Sequence, residues 1–307
     1  MEVEAMNGIL VVNKDKGMTS HDVVFKLRKI LQTKKVGHAG TLDPEVDGVL
    51  VVCVGTATKV SQFMMAGTKT YRGEVTIGMS TETEDAHGAT VMTKTVESNQ
   101  WSEAEIAAVC QSFVGRIQQT PPMYSAVKVK GKKLYEYARA GESVERPIRE
   151  VDVFSLAWEP ETLIYENGTA RFSFTVTSSK GLYVRTLAVQ IGEALGYPAH
   201  MSNLRRLGSG VFTLAEAQTL AEIEANGPNL QSIAQALRVY PHVQANAHIA
   251  KLVRNGVVLR ESQLPFPLTT PEVVVYDGEQ ALAVYGPHPT KSDAWKAIRV
   301  FQQEEGE

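Results

Sequence analysis

Runs and alternations of apolar residues predict the secondary structure along much of the chain. Residues 49–54 form an uninterrupted apolar run, which is typical of a strand buried on both faces. Apolar and polar residues alternate over 71–77 and again over 171–176, so each segment is predicted to be a half-buried strand. Thr19-Ser-His-Asp22 and Ser102-Glu-Ala-Glu105 have the pattern of a capping box, and they predict the starts of two amphipathic helices.

A glycine-rich loop with a central carboxylate lies just before the first of these strands. Gly37, Gly40 and Gly48 permit a left-handed backbone or the close approach of a ligand, and Pro44 restricts the backbone directly after Asp43. Such a loop presents a side chain on a stiff turn. The alternative is a polar connection whose carboxylates only cap backbone amides.

The pattern changes towards the C-terminus. Gly227-Pro228 and Val239-Tyr240-Pro241 end the helical segments, and short apolar runs separated by Gly, Pro and Asp follow. They predict a small β-barrel that begins near residue 245. From Glu261 onward this region has eight acidic residues against three basic ones.

The charge distribution is more informative than the net charge. The 31 basic and 34 acidic residues give a net charge of −3, which argues against a general polyanion-binding protein. However, residues 22–40 carry five bases against one acid, and residues 126–150 carry seven against four. These two basic segments predict a local surface for an anionic ligand, although a solvated face is the alternative for each.

Residues 118–140 combine lysine and tyrosine with proline and glycine. This composition suits phosphate contact together with base stacking, and it includes Lys128 and Lys130. A surface loop whose tyrosines pack on the core is an equally good explanation of the composition alone.

The two cysteines, Cys53 and Cys110, lie in apolar contexts and have no partner at metal-ligand spacing. The seven histidines show no paired spacing, and neither a signal peptide nor an apolar run long enough for a membrane span is present. We therefore expect a cytoplasmic protein without a metal.

Several segments, in order along the chain, resemble one enzyme family. Gly-His-Ala-Gly-Thr-Leu-Asp-Pro over residues 37–44 is similar to the signature of TruB-type tRNA pseudouridine synthases. The similarity continues downstream and spans most of residues 8–212. The further matching segments are residues 48–50, 55–59, 69–71, 121–128, 179–187 and 204–206.

The resemblance implies a fold, a reaction and a division of the chain. The fold would be α+β, a pseudouridine-synthase fold with a mixed, mostly antiparallel sheet and flanking helices over residues 1–244. A PUA-like RNA-binding domain would occupy residues 245–307. The reaction would convert uridine 55 in the T loop of tRNA to pseudouridine. It needs no cofactor and no protein partner, and a monomer would suffice.

The resemblance also implies roles for individual residues. Asp43 would be the nucleophile towards the sugar or the base at C2′, and the sequence leaves both open. Tyr71 would stack on the target base, and Arg185 would stabilise the charge of the carboxylate. The remaining candidates are substrate-binding residues: His38, which would fill the space left by the flipped base, and Gly40, Thr41, Lys59, Lys69, Tyr183, Lys180, Leu204, Lys128 and Lys130.

The chain departs from the usual family pattern at a few positions. Asp15 replaces a proline, Val46-Asp47 replaces Ala-Thr, Leu182 replaces a threonine, and Gln190 replaces an aspartate. None of them removes the proposed nucleophile. We expect the second carboxylate, Asp47, to point away from the site.

Three other functions are weighed against the enzyme. A catalytically idle tRNA-folding protein of the same fold would be expected to lose Asp43, Tyr71 or Arg185, and all three are present. A synthase that acts within a guide-RNA assembly is disfavoured because the chain lacks long basic tails. A phosphate-binding metabolic enzyme is disfavoured because neither common glycine-rich phosphate motif occurs in the Asp43 loop.

Overall fold

The computed structural model describes residues 6–301 and divides into two compact units. Among these residues, the first unit comprises 6–44, 48–67 and 209–301, and the second comprises 45–47 and 68–208. The chain therefore passes from one unit to the other inside the loop that carries Asp43, directly after Pro44.

The strands are β1 (Gly8–Lys14), β2 (Val36–His38), β3 (Asp47–Val54), β4 (Lys69–Ile77), β5 (Met79–Thr81), β6 (Thr90–Thr93), β7 (Gly115–Gln119), β8 (Lys128–Val129), β9 (Lys132–Lys133), β10 (Arg149–Glu166), β11 (Thr169–Ser178), β12 (Ala199–Ser209), β13 (Phe212–Thr213), β14 (Leu230–Gln231), β15 (His242–Gln244), β16 (Leu259–Arg260), β17 (Val273–Asp277), β18 (Gln280–Pro287) and β19 (Ala294–Val300). The α-helices are α1 (Ser20–Ile30), α2 (Ser61–Ala66), α3 (Glu103–Ser112), α4 (Leu134–Ala140), α5 (Val184–Ala194), α6 (Leu220–Asn226), α7 (Ile233–Leu237) and α8 (Ala247–Arg254). Three short 3₁₀ segments span Gly55–Val60, Leu214–Glu216 and Glu261–Gln263.

In the first unit, β1 pairs antiparallel with β3 on one edge and with β14 on the other. All side chains of β3 from Val49 to Val54 are fully buried, which confirms the strand predicted from the apolar run. Because β2 pairs antiparallel with the end of β3, the Asp43 loop connects two hydrogen-bonded strands. The predicted capping box at Thr19 is present, and α1 begins directly after it.

The C-terminal part of the first unit is a curled five-stranded sheet in the order β15-β17-β18-β19-β16. It agrees with the expected small β-barrel and with a PUA-like fold. The helix α8 was not predicted. Its N-cap is Asn246, whose side chain accepts a hydrogen bond from the Ile249 N–H (2.9 Å), and its Ala250 and Val253 belong to the same buried cluster as Trp295.

In the second unit the strands lie in the order β12-β4-β11-β10-β7. β4, β11, β10 and β7 are antiparallel to their neighbours, with Tyr71 opposite Val176 and Gly73 opposite Phe174. Tyr71 shares a face with the buried Val75 and Ile77, as the alternation predicts. Glycine is required opposite Phe174, because a Cβ atom at position 73 would lie 2.7 Å from the phenyl ring.

Candidate functional site

The loop that carries Asp43 is anchored on both sides of this residue. On the N-terminal side, the buried Ser20 hydroxyl accepts a hydrogen bond from the Leu42 N–H (2.8 Å) and donates one to the Leu42 carbonyl (3.1 Å). Ser20 is the first residue of α1, so the helix start fixes the loop directly. The adjacent Asp43 is exposed.

On the C-terminal side, the loop is held by a buried lysine. Lys14, at the end of β1, is fully buried, and its ammonium group donates to the carbonyl oxygens of Met18 (2.7 Å), Asp15 (2.9 Å) and Pro44 (3.1 Å). The Pro44 carbonyl also accepts from the Gly17 N–H (2.9 Å). The residues before and after Asp43 therefore have fixed backbones, which agrees with the stiff turn expected from the sequence.

The remaining candidates of the first unit lie along the same connection and just after β3. His38 ends β2, Gly40 has a φ of +112° that favours glycine, and Thr41 is exposed. Lys59 is half-buried in the 3₁₀ segment that follows β3. Their contacts with RNA stay predictions.

In the second unit, Arg185 is buried in the first turn of α5 and has an exposed fraction of only 8%. Its guanidinium donates to the carbonyl oxygens of Thr83 (3.1 Å) and Tyr124 (3.0 Å). It also lies 3.7 Å from a carboxylate oxygen of Asp85. A buried cation is tolerated only when it is paired and hydrogen-bonded in this way.

Asp85 is not among the site residues expected from the sequence, because the acidic residues around it form no catalytic motif. One Asp85 carboxylate oxygen accepts from the Thr83 hydroxyl (2.6 Å) and from the His87 N–H (3.0 Å). The other oxygen faces Arg185. The available signal was the short spacing Thr-x-Asp-x-His, which permits a turn closed by its own aspartate.

The residues that follow Asp43 and Pro44 belong to the second unit, where two of their carboxylates lie near basic side chains. Glu45 lies 3.8 Å from the His87 imidazole, and Asp47 lies 3.4 Å from the Arg205 guanidinium. Asp47, one of the residues that depart from the family pattern, thus has a cation beside it.

The other candidates of the second unit are spread over β4, the start of α5 and β12. Tyr71 and Tyr183 are half-buried, Leu204 is 9% exposed, and Lys180 is exposed in the turn before α5. Lys69, in contrast, is only 7% exposed. Burial, with the charge of Arg206 as a second cause, lowers the pKa of Lys69 to about 8.

The lysine-rich segment forms a hairpin of β8 and β9, followed by α4. Lys130 (φ +49°) and Gly131 (φ +88°) make its turn, and both Lys128 and Lys130 are exposed. The neighbouring Lys132 forms an ion pair with Glu142 (3.2 Å). The hairpin therefore presents two exposed ammonium groups beside one that already has a partner.

Two negative findings hold for the part of the chain that the structure describes. No helix within residues 6–301 is long and apolar enough to cross a membrane. Among these residues, no group of three or more His, Cys, Asp and Glu side chains is placed to hold a metal ion.

Comparison with known proteins gives consistent matches along the chain. The family model of the TruB family pseudouridylate synthase N-terminal domain matches residues 28–184. The model of the tRNA pseudouridylate synthase B C-terminal domain matches residues 185–240. A tRNA pseudouridine synthase B from Geobacillus thermodenitrificans is 49% identical over 303 residues, covering 97% of this chain and 100% of that protein. A tRNA pseudouridine synthase B from Halalkalibacterium halodurans is 52% identical over 307 residues, covering 98% of this chain and 99% of that protein.

Solved structures give the same fold. A Cbf5-Nop10-Gar1 complex contains a chain with a TM-score of 0.71 and 27% identity, covering 96% of this chain and 85% of that one. A chain of an archaeal box H/ACA sRNP Nop10-Cbf5 complex has a TM-score of 0.68 and 23% identity, covering 97% of this chain and 87% of that one. At this identity the likeness supports the fold alone.

The depressed pKa of Lys69 generates a prediction about stability. Because the folded state binds the Lys69 proton more weakly than the unfolded chain, the charged lysine destabilises the fold at pH 7. This penalty fades as the pH rises from about 8 towards 10.5, the usual lysine value. We expect Lys69→Met to raise the free energy of unfolding at pH 7 by about 1–3 kcal/mol, measured by urea titration.

The gain in the free energy of unfolding that Lys69→Met produces should shrink as the pH increases from 8 to 10. Lys296→Met, at an exposed lysine, is the matched control and should change stability by less than about 0.5 kcal/mol. A Lys69→Met variant no more stable than the wild type at pH 7 would contradict the account.

Proposed function

Since this chain belongs to the TruB family of pseudouridylate synthases, we propose that it modifies uridine 55 in the T loop of its tRNA substrate. The chain is an RNA pseudouridine synthase, an isomerase that converts uridine in tRNA to pseudouridine. The proposal adds the position of that uridine and the residues that act on it. The anchored backbone on both sides of Asp43 supports it most directly.

Asp43 is the proposed catalytic carboxylate. The isomerisation breaks the bond between C1′ and N1, turns the uracil and forms a bond between C1′ and C5. C5 then loses its proton and the released N1 gains one, so the composition does not change. Asp43 either attacks C1′ or removes the proton at C2′, and both routes need an ionised carboxylate. The hydrogen bonds from Ser20 and Lys14 to the flanking carbonyls fix the backbone on both sides of Asp43, which reduces the reorganisation that catalysis requires.

Arg185 and Tyr71 are the proposed partners of Asp43. The Arg185 guanidinium is the proposed cation that stabilises the ionised carboxylate while bound RNA shields the exposed Asp43 from water. Tyr71 is proposed to stack on the uracil, with Tyr183 beside it and Leu204 lining the pocket. Extruding the base costs a few kcal/mol, which contacts with the refolded loop offset.

The other candidates are proposed RNA contacts. His38 is proposed to fill the space that the extruded base leaves. Backbone groups of Gly40 and Thr41, and the ammonium groups of Lys59, Lys69 and Lys180, are proposed to face the RNA backbone. Because Lys69 is largely buried, its ammonium group would act over a distance rather than through an exposed contact.

The division of the chain and its mode of action are also proposals. We place the catalytic domain at residues 1–244 and a PUA-like RNA-binding domain at residues 245–307, because α8 and four of the five strands of the curled sheet, β16 to β19, lie in the second range. The enzyme is proposed to act as a cytoplasmic monomer without a protein partner or cofactor. The isomerisation exchanges neither electrons nor groups with another molecule, so none is required.

The function is tested with an unmodified tRNA transcript and the purified protein, without metal or nucleotide. We expect a carbodiimide-dependent primer-extension stop at uridine 55. Asp43→Asn should reduce the single-turnover rate at least ~10²-fold while tRNA affinity changes little, since an amide is a poor nucleophile and base. Asp15→Asn, which changes the same charge at an exposed residue, is the control and should keep the wild-type rate.

The outcomes separate the alternatives. A rate of Asp43→Asn within tenfold of the wild type would remove Asp43 from the mechanism. Wild-type protein that binds the transcript but forms no pseudouridine would instead support the idle tRNA-folding protein.

The hairpin gives a prediction about tRNA affinity. If Lys128 and Lys130 contact phosphates, replacing both with alanine should flatten the slope of log K against log salt by up to about two units. Lys132→Ala is the control, because Lys132 is already paired with Glu142, and we expect it to change the slope by less. Filter binding at several salt concentrations measures the slopes, and an unchanged slope in the double variant would place the hairpin outside the RNA contact.

A further inference from the structure

A buried glutamine contacts the backbone at the start of α5 through its whole amide group. Gln119, the last residue of β7, is only 2% exposed. Its side-chain oxygen accepts from the Tyr183 N–H (3.0 Å), and its Nε2 donates to the Tyr183 carbonyl (3.2 Å). Both backbone polar groups of Tyr183 are therefore bonded to one side chain.

The second hydrogen of the Gln119 amide is directed to Gln190. The distance from Gln119 Nε2 to Gln190 Oε1 is 3.1 Å, and Gln190 Nε2 donates in turn to the Gln118 carbonyl (3.0 Å). These bonds use both Nε2 hydrogens of Gln119 and fix which way its amide points. Gln190 is one of the positions where this chain departs from the family pattern, and the proposed chemistry gives it no role.

Tyr183 determines where α5 begins. It is the N-cap of this helix, its side chain makes no capping hydrogen bond, and its carbonyl accepts the first helical bond from the Leu187 N–H (3.0 Å). Gln119 thus anchors, from a distant strand, a helix end that lacks its own cap. Arg185 follows Tyr183 by two residues, so a shift of the helix start displaces the guanidinium.

We propose that Gln119, oriented by Gln190, is a positioning residue for the isomerisation, which holds Tyr183 and the first turn of α5 so that Arg185 stays in its catalytic place. The inference rests on the proposed function for the roles of Tyr183 and Arg185. Gln119 itself touches neither the substrate nor the reacting atoms. Its contribution is the exact donor and acceptor pair that the Tyr183 backbone requires.

Gln119→Glu is the discriminating variant, because it preserves the shape of the side chain. An ionised carboxyl at position 119 still accepts from the Tyr183 N–H but repels the Tyr183 carbonyl and Gln190 Oε1. A protonated carboxyl restores one donor. Burial favours the protonated form, whereas Arg149, the register partner of Gln119 on β10, is exposed, so water screens its charge.

We therefore expect the single-turnover rate of Gln119→Glu, divided by that of the wild type, to fall as the pH rises from 5.5 to 9. At the high-pH end the loss should reach ~10- to 100-fold, as expected for a displaced catalytic group, while tRNA affinity stays within about twofold. Gln190→Leu should lower the rate roughly two- to tenfold, the effect of one hydrogen bond. Gln118→Glu, at the exposed neighbouring side chain, is the matched control and should follow the wild-type profile.

The inference would be overturned if the single-turnover rate of Gln119→Glu relative to the wild type did not depend on pH. A rate loss matched by an equal loss of tRNA affinity would also overturn it. A readout that needs no activity separates it from the proposed function. We expect Gln119→Leu to accelerate hydrogen exchange of the Tyr183 amide at least tenfold, as followed by NMR. If the wild type forms no pseudouridine, the proposed function fails, and unchanged exchange at Tyr183 would then reject the anchoring as well.

Discussion

The arrangement around α5 in the second unit depends on a buried positive charge, that of Arg185. Burying the Arg185 guanidinium is costly unless its N–H groups find acceptors and its charge finds an opposite charge. The Thr83 and Tyr124 carbonyls are the acceptors, and Asp85 supplies the negative charge. These partners come from two loops that are distant from α5 in sequence. The loops must therefore close around the helix, and this closure brings the acidic turn of residues 83–85 to the start of α5.

The neighbouring side chains extend this polar cluster. Thr186 donates to Glu84 (2.8 Å), and Arg146 lies 4.0 Å from the same carboxylate. Burial raises the pKa of Glu84, while the bond from Thr186 and the charge of Arg185 act in the opposite direction. The first unit uses the same principle at Lys14, whose buried ammonium fixes the carbonyls of Met18 and Pro44. In the first unit the buried cation fixes the backbone next to Asp43, and in the second unit the buried cation, Arg185, is itself a proposed site residue.

The sequence predicted the elements whose cause is local. The capping boxes at Thr19 and Ser102, the buried run of β3 and the alternation around Tyr71 all formed as expected, because neighbouring residues carry the whole signal. The helix α8 was missed, because it has only eight residues and lies among apolar runs that resemble strands.

The supports of the site were beyond sequence reasoning for a different reason. Lys14 bonds to Pro44 across 30 positions, and Gln119 bonds to Tyr183 across 64. No periodicity or spacing links such residues. Asp85 stands beside other acidic residues, and such a group is usually just a charged face exposed to solvent. The family resemblance named the residues proposed to act, whereas the residues that hold them emerged from the tertiary contacts.

The central proposal is that the buried charge of Arg185 stabilises the ionised, active carboxylate of Asp43. It is tested most directly by the pH dependence of the single-turnover rate in the wild type, Arg185→Lys and Arg185→Met. Lysine keeps the charge but not the two-pronged donor geometry, and methionine keeps only apolar bulk. The account predicts that the pH below which activity is lost moves upward in the order wild type, Lys, Met. An equal loss at every pH, with that limit unmoved in Arg185→Met, would contradict it and leave Arg185 a purely steric role.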